Sequence, residues 1–187
     1  MMIGVLAFHG DFAEHIEILR NLRVKAVEVR TPEDLLKIDH LIIPGGESTV
    51  MSGFLAQTGV GALIQKQVKV GSLAVFGTCA GAILIAKKVT GKNSPKPLGL
   101  LDITIDRNAY GTQMQSFETD LKIKGFKDAV PVAFIRAPII TSIGKDVDVL
   151  ASHKENPVLV RSGRILAGTF HPEMRGAEEI HKMFLSL

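Results

Sequence analysis

The first half of the chain alternates short apolar runs with stretches of helical spacing, and this alternation leaves few folds open. Residues 3–8, 25–29, 41–43 and 73–76 read as strands. Between them, Phe12, Ile16 and Leu19, with His15, Ile18 and Leu22 beside them, recur at helical spacing up to about Leu22. Thr31-Pro32-Glu33-Asp34 reads as a helix start, with Thr31 as cap, Pro32 at the first helical position and acids in the first turn. From 49 to 70 the spacing is helical again, with an interruption near Gly59 and Gly61. Strands that alternate with helices build a parallel sheet covered on both faces. The second half changes character: residues 101–106 and 120–124 alternate with period two, as half-exposed antiparallel strands do. Short strands are also expected at 132–135, 147–151, 158–161 and 165–169, and a closing helix over 177–187 with Ile180, Phe184 and Leu187 on one face. The expected fold class is α/β, a three-layer sandwich with a mostly parallel central sheet plus antiparallel strands in the second half.

With 187 residues, of which 46% are hydrophobic and 22% charged, the chain is long enough for one well-packed core, so residues 1–187 read as a single domain. Residues 1–8 lack a basic leader and soon meet Asp11 and Glu14, which reads as a first strand rather than a signal peptide. The uncharged stretch 71–86 is too short to span a bilayer and is broken by Gly77 and Gly81, so no membrane is expected. The net charge is +3, but Lys and Arg are interspersed with acids, Trp is absent and Tyr110 is the only tyrosine. Neither a basic patch nor an aromatic stacking platform for nucleic acid stands out. A single cysteine, Cys79, excludes an internal disulfide and a cysteine-based metal cluster, and a reducing compartment, the cytoplasm, is the natural home.

Cys79 sits in Gly77-Thr78-Cys79-Ala80-Gly81, where a strand ends and a helix begins. Exposed N–H groups and the helix dipole favour a thiolate there, and the flanking glycines allow a sharp turn and a close approach. A nucleophilic cysteine needs a base and a third group to orient that base. His171-Pro172-Glu173 supplies both: Pro172 biases His171 toward an extended conformation, and residues two apart on an extended segment project to one side. Alone, the tripeptide is equally well read as a solvated surface loop. Gly45-Gly46-Glu47-Ser48 leaves a third strand end, and its N–H groups are candidates for stabilising an oxyanion. In open α/β sheets the ligand crevice lies at such carboxyl ends of strands. The remaining histidines, His15, His40, His153 and His181, have no metal-ligand spacing, and no metal or other cofactor is implied.

Pro44-Gly45-Gly46, Gly77-Thr78-Cys79-Ala80-Gly81 and His171-Pro172-Glu173 together resemble, in order, the three signatures of the class I (triad) glutamine amidotransferases, a flavodoxin-like family. Gly46-Glu47-Ser48-Thr49, Gly99-Leu100-Leu101-Asp102, Arg107-Asn108, Ser116-Phe117-Glu118 and Phe134-Ile135-Arg136-Ala137-Pro138 extend the resemblance over nearly the whole chain, to the glutaminase subunits of pyridoxal 5′-phosphate synthase. The resemblance implies an enzyme that hydrolyses L-glutamine to L-glutamate and ammonia, and a heteromeric complex in which a synthase (lyase) subunit receives the ammonia. It implies Cys79, His171 and Glu173 as triad, the N–H groups of Gly46 and Ala80 as oxyanion donors, and Gly46, Glu47, Ser48, Arg107, Ile135 and Arg136 as glutamine contacts. It also implies little activity without the partner. Chemically, Arg and Glu suit the carboxylate and ammonium of an amino acid.

His9 stands where that family usually has Gln. Two readings are open, a neutral hydrogen-bonding substitute and a pH-dependent switch, since histidine titrates near neutrality. Two further functions compete with the leading one: a glutaminase for another acceptor pathway, such as histidine, purine or anthranilate synthesis, and a non-enzymatic regulatory module of the same fold.

Overall fold

A computed structural model describes residues 1–107 and 116–187; Asn108 of the Arg107-Asn108 motif and Tyr110 lie outside the described residues. In chain order the elements are β1 (Ile3–Leu6), α1 (Phe12–Asn21), β2 (Ala26–Val29), α2 (Pro32–Leu35), β3 (His40–Ile43), α3 (Ser48–Gln57), α4 (Val60–Lys69), β4 (Ala74–Thr78), α5 (Ala80–Ile85), β5 (Ala86–Thr90), β6 (Leu101–Asp106), β7 (Phe117–Leu121), β8 (Val130–Phe134), β9 (Ile139–Ile143), β10 (Asp148–His153), β11 (Asn156–Ser162), β12 (Ile165–Gly168), a 3-10 turn at Glu173–Arg175 and α6 (Glu178–Leu185). The central sheet has seven strands in the order β10-β11-β12-β4-β3-β1-β2. From β12 to β2 all neighbours are parallel, whereas β10 and β11 join antiparallel at one edge.

Period two sorts the strand residues between two apolar layers. Leu6, Leu41, Ile43 and Val75 face one side, with Met51, Leu55, Val60 and Ile64 from α3 and α4. Ile3, Val5, Ile42 and Phe76 face the other, with Leu19 from α1 and Ile180 and Phe184 from α6. Each such fully buried side chain contributes about 1.5–3 kcal/mol relative to exposure. Because both faces are covered, the parallel strands read as continuous apolar runs in the sequence.

Local signals set the helix boundaries. Thr31 Oγ1 accepts from the Asp34 N–H at 3.3 Å while Asp34 Oδ2 accepts from the Thr31 N–H at 3.1 Å, a reciprocal cap on α2. The expected interruption of the long helical stretch falls at Gly59, whose φ of +76° separates α3 from α4.

Antiparallel strands do fill the second half, and the structure adds detail that the sequence does not carry. The strands there do not all join the central sheet: β5-β6-β9 form a three-stranded sheet and β7-β8 a two-stranded one. The strand expected at 120–124 lies at Phe117–Leu121, where Phe117 pairs with Phe134 and stacks on it at 4.7 Å. Strands β5 and β9 carry no period-two signal, because β5 exposes Lys87 and Lys88 in succession and β9 exposes Thr141, Ser142 and Ile143. Among the described residues no helix is long and apolar enough to cross a membrane.

The connection from β4 to α5 is fixed by close backbone packing. A Cβ on Gly81 would lie 1.9 Å from the Ile43 carbonyl oxygen, and one on Gly77 would lie 2.6 Å from the Gly81 carbonyl carbon. Neither contact can be relieved by turning a side chain. Gly81→Ala is therefore expected to cost about 3 kcal/mol or more of unfolding free energy, at the upper end of overpacking effects, as measured by denaturant titration.

Candidate active site

The carboxyl ends of β12, β4, β3 and β1 lie side by side in the sheet, and each delivers one part of a common site. β4 delivers Cys79, which is 8% exposed and holds φ +46°, ψ −102°, a conformation that costs a non-glycine residue of order 1–3 kcal/mol. The surroundings hold it there: its N–H donates to the Gly168 carbonyl at 2.8 Å, and its carbonyl accepts from the Ile83 N–H at 3.2 Å. The strain presents Sγ at the strand end, 3.9 Å from the Ile135 carbonyl oxygen.

β12 runs into His171, whose backbone is bridged to Ala133 of β8 (His171 N–H to Ala133 carbonyl, 2.7 Å). The side chains of His171 and Glu173 meet as expected, Nδ1 to Oε1 at 2.8 Å, both buried. Pro172 caps the 3-10 turn with helical backbone angles and Glu173 is its first residue, so the pairing arises from the turn and not from an extended segment. Asp11, which the sequence offered only as an acid after strand one, also approaches Nδ1, at 3.2 Å. Two carboxylates on one ring nitrogen require that Nδ1 carry the proton, which leaves Nε2 for Cys79. Ligand atoms of Asp11, His171 and Glu173 lie within 4.8 Å of one another. Their convergence on a single N–H is that of acceptors around one donor rather than of ligands around an ion.

The electrostatics follow from these contacts. Burial disfavours the His171 imidazolium, but Asp11, Cys79 and Glu173 outweigh burial and carry its pKa up to about 12. Its hydrogen bond to His171 holds the Asp11 carboxyl below the ordinary range. Glu173 goes the other way: burial raises it, against the opposing pull of His171.

At the end of β3, Gly46 has φ +146°, and a Cβ there would lie 3.0 Å from His9 Nδ1. That nitrogen lies 3.4 Å from the Glu47 N–H and accepts from it, so His9 braces the loop. A Cβ on Gly45 would lie 2.3 Å from His171 Cε1, so the glycine loop sits directly against the base. Glu47 caps α3 by accepting from the N–H groups of Thr49 and Val50 at 3.2 and 2.8 Å. Its carboxylate also binds Arg107 Nη2, while Arg107 Nη1 donates to Thr49 Oγ1 at 2.7 Å and the Asn93 carbonyl at 2.9 Å. Burial pushes the Glu47 carboxyl up, but the Val50 and Thr49 N–H groups and Arg107 together hold it below its usual value. Glu47 and Arg107 thus form one polar edge by pairing with each other. Ser48 and Ala80 are buried at the first positions of α3 and α5. Ile135 presents its carbonyl to Cys79, and Arg136, exposed, holds φ +46°.

Sequence reasoning missed a second histidine group. His15 and His181, scattered in the chain, are both fully buried and lie 2.9 Å apart (Nδ1 to Nε2), and His15 Nε2 is 3.2 Å from Thr78 Oγ1. Their spacing of 166 residues gives no local signal.

The SNO glutamine amidotransferase family matches residues 5–187. Curated relatives include "Pyridoxal 5'-phosphate synthase subunit PdxT" of Thermus thermophilus, 46% identical over 186 residues, covering 100% of this chain and 97% of the relative. The protein of the same name from Thermotoga maritima is 46% identical over 188 residues, covering 100% and 99%. Among solved structures, one described as a glutamine amidotransferase superimposes with a TM-score of 0.94 at 45% identity, covering 98% of this chain and 97% of that one. PurLQS from Thermotoga maritima, at 16% identity and a TM-score of 0.72, covering 99% and 97%, shares the fold.

The buried histidines set opposite pH dependences. His171, raised to about 12, binds its proton more tightly folded than unfolded, so its contribution is complete below about pH 6.5 and is lost as pH rises toward about 12. His181, lowered by burial to about 4, binds its proton less tightly when folded. Stability therefore falls as pH drops from about 6.5 toward 4, by up to about 1.4 kcal/mol per pH unit for one proton. Thermal unfolding measured between about pH 4 and 7 is expected to show a shallower acid-side fall for His181→Leu than for the wild type.

Proposed function

The chain belongs to the SNO glutamine amidotransferase family, and from that premise we propose that it hydrolyses L-glutamine to L-glutamate and ammonia and delivers the ammonia to the synthase subunit of a pyridoxal 5′-phosphate synthase. The observation that carries this reading is the join of two strand ends: a cysteine held in a strained backbone conformation at one, and at the other a histidine whose Nδ1–H is held by Glu173 at 2.8 Å. In the proposed reaction Cys79 Sγ attacks the side-chain amide carbon of glutamine, and the N–H groups of Gly46 and Ala80 receive the developing oxyanion. His171 Nε2 takes the thiol proton and gives it to the departing ammonia, leaving a thioester, then takes a proton from water as that water attacks the thioester carbon and returns it to the departing Cys79 sulfur. Glu173 keeps the ring in the required tautomer, and Asp11 adds a second acceptor at the same N–H.

Glutamine is held along the edge formed by Gly46, Glu47, Ser48, Arg107, Ile135 and Arg136. Its α-carboxylate and α-ammonium meet a Glu47–Arg107 pair already neutralising each other, so binding re-partitions these hydrogen bonds rather than meeting bare charges. Residues 1–187 act as one glutaminase domain, in a cytoplasmic heteromeric complex where the thiol stays reduced. Ammonia released into water would protonate, so the product passes through the protein interior to the acceptor subunit.

The assay is glutamate formation by the purified chain with and without the synthase subunit. Turnover is expected to depend on the partner and to fall by roughly 10⁶-fold in Cys79→Ala, as for a nucleophile that acts as a unit with its base. Equal turnover in both conditions, or activity surviving Cys79→Ala, would sink the reading. Arg107→Ala is expected to raise KM about tenfold or more, the loss of one charged hydrogen bond.

A further inference from the structure

Glu173 Oε1 accepts from His171, but Oε2 is buried with no hydrogen bond. Facing it is His15 Nε2, 3.4 Å away, on a side chain with no exposure at all. The protons behind this contact can be assigned one by one. His181 Nδ1 lies 3.3 Å from the Ala177 carbonyl oxygen, which only accepts, so Nδ1 carries the proton of that ring. In the neutral ring His181 Nε2 is then an acceptor, and His15 Nδ1, 2.9 Å away, must be the donor. That leaves His15 Nε2 without a proton, 3.4 Å from a carboxylate oxygen in a dry interior. The Thr78 hydroxyl, 3.2 Å away, can donate to this nitrogen but does nothing for Oε2. An unprotonated nitrogen and a carboxylate oxygen at that distance repel, whereas a proton on either atom, with a slight closing of the gap, lets one donate to the other.

We infer that His15 Nε2 and Glu173 Oε2 share one proton, which makes His15 a positioning residue that sets the charge and orientation of Glu173 toward His171. With the proton on Oε2, Glu173 is a neutral acid donating to His15; with it on Nε2, an imidazolium faces a carboxylate. The net charge of the pair is zero either way, and nothing but the proton moves. Burial raises Glu173 and depresses His15, which favours the first form while His171 is neutral. When His171 takes the proton of Cys79, the second form supplies a carboxylate beside the new imidazolium. The groups around His15 are Glu173 and His171 from the 3-10 turn and the residues before it, Thr78 from β4, His181 with nearby Glu178 from α6, Asp11 from the start of its own helix, and the edge of the Phe76 ring at 6.5 Å.

The effect on turnover rests on the glutaminase reading, but the pairing is testable without it, because Cys79 is the only cysteine and its alkylation reports the thiolate alone. The pH profile of iodoacetamide alkylation is measured for wild type, His15→Leu and His15→Gln, with thermal unfolding as a check that each is folded. His15→Leu is expected to move the profile to higher pH and to lower partner-activated kcat by about 10–100-fold with little change in KM, as loss of an outer-shell hydrogen-bond partner does. His15→Gln, whose amide can donate or accept at the same place, is expected to restore most of both. A wild-type profile in a folded His15→Leu, or a His15→Gln profile displaced as far as the leucine one, would overturn the inference. Should His15→Leu not fold, His181→Leu, which removes the acceptor of His15 Nδ1, carries the same expected shift, and a wild-type profile there overturns it.

Discussion

Helix α5 can begin against the end of β3 only because Gly81 has no side chain, since its Cα lies so near the Ile43 carbonyl that a methyl group would overlap it. The rest of the site depends on that approach. With α5 seated there, the turn before it has to be tight, and Cys79 takes the positive φ that lifts its side chain out of the sheet. The same seating brings the cysteine alongside the loop that leaves β3, so a thiol and a run of backbone N–H groups become neighbours although Gly46 and Cys79 are far apart in the chain. Strain at Cys79 is tolerated because two apolar layers, one on each face of the sheet, fix β3, β4 and β12 relative to one another.

The charge arrangement is uneven because of the surroundings rather than the residue types. His171 and His181 are both buried histidines, yet one is driven to hold its proton and the other to lose it. The difference lies in what replaces water. His171 meets two carboxylates at its donor nitrogen, whereas His181 meets a backbone carbonyl and a second imidazole. A carboxylate compensates a positive ring; a carbonyl dipole and a neutral ring do so only weakly.

How much of this is legible in the sequence follows from the range of each signal. Parallel strands buried on both faces announce themselves as apolar runs, and the glycines that end them mark β3 and β4, so Cys79, His171 and Glu173 are readable as one constellation. The Thr31 cap and the Gly59 break are readable for the same local reason. The division of the second-half strands among three sheets is not, because period two gives a strand its faces but not its partners. Asp11 does not stand out, since an acid at a helix start is ordinary, and only the arrival of His171 from the far end of the chain gives it a partner. His15 and His181 lack ligand spacing, and burial against Glu173 is a property of the fold that leaves no mark on sequence spacing.

The bridge between Ala133 and His171 has a mechanical meaning. Strand β8 holds the histidine's backbone on one side and, one residue beyond its end, supplies the Ile135 carbonyl that faces the sulfur. Among the described residues the two-stranded β7-β8 ribbon belongs to neither larger sheet and is held to the core by Leu121, Val130, Val132 and Phe134. One short ribbon thus sets part of the position of both side chains, His171 through its backbone and Cys79 through the carbonyl that faces its sulfur.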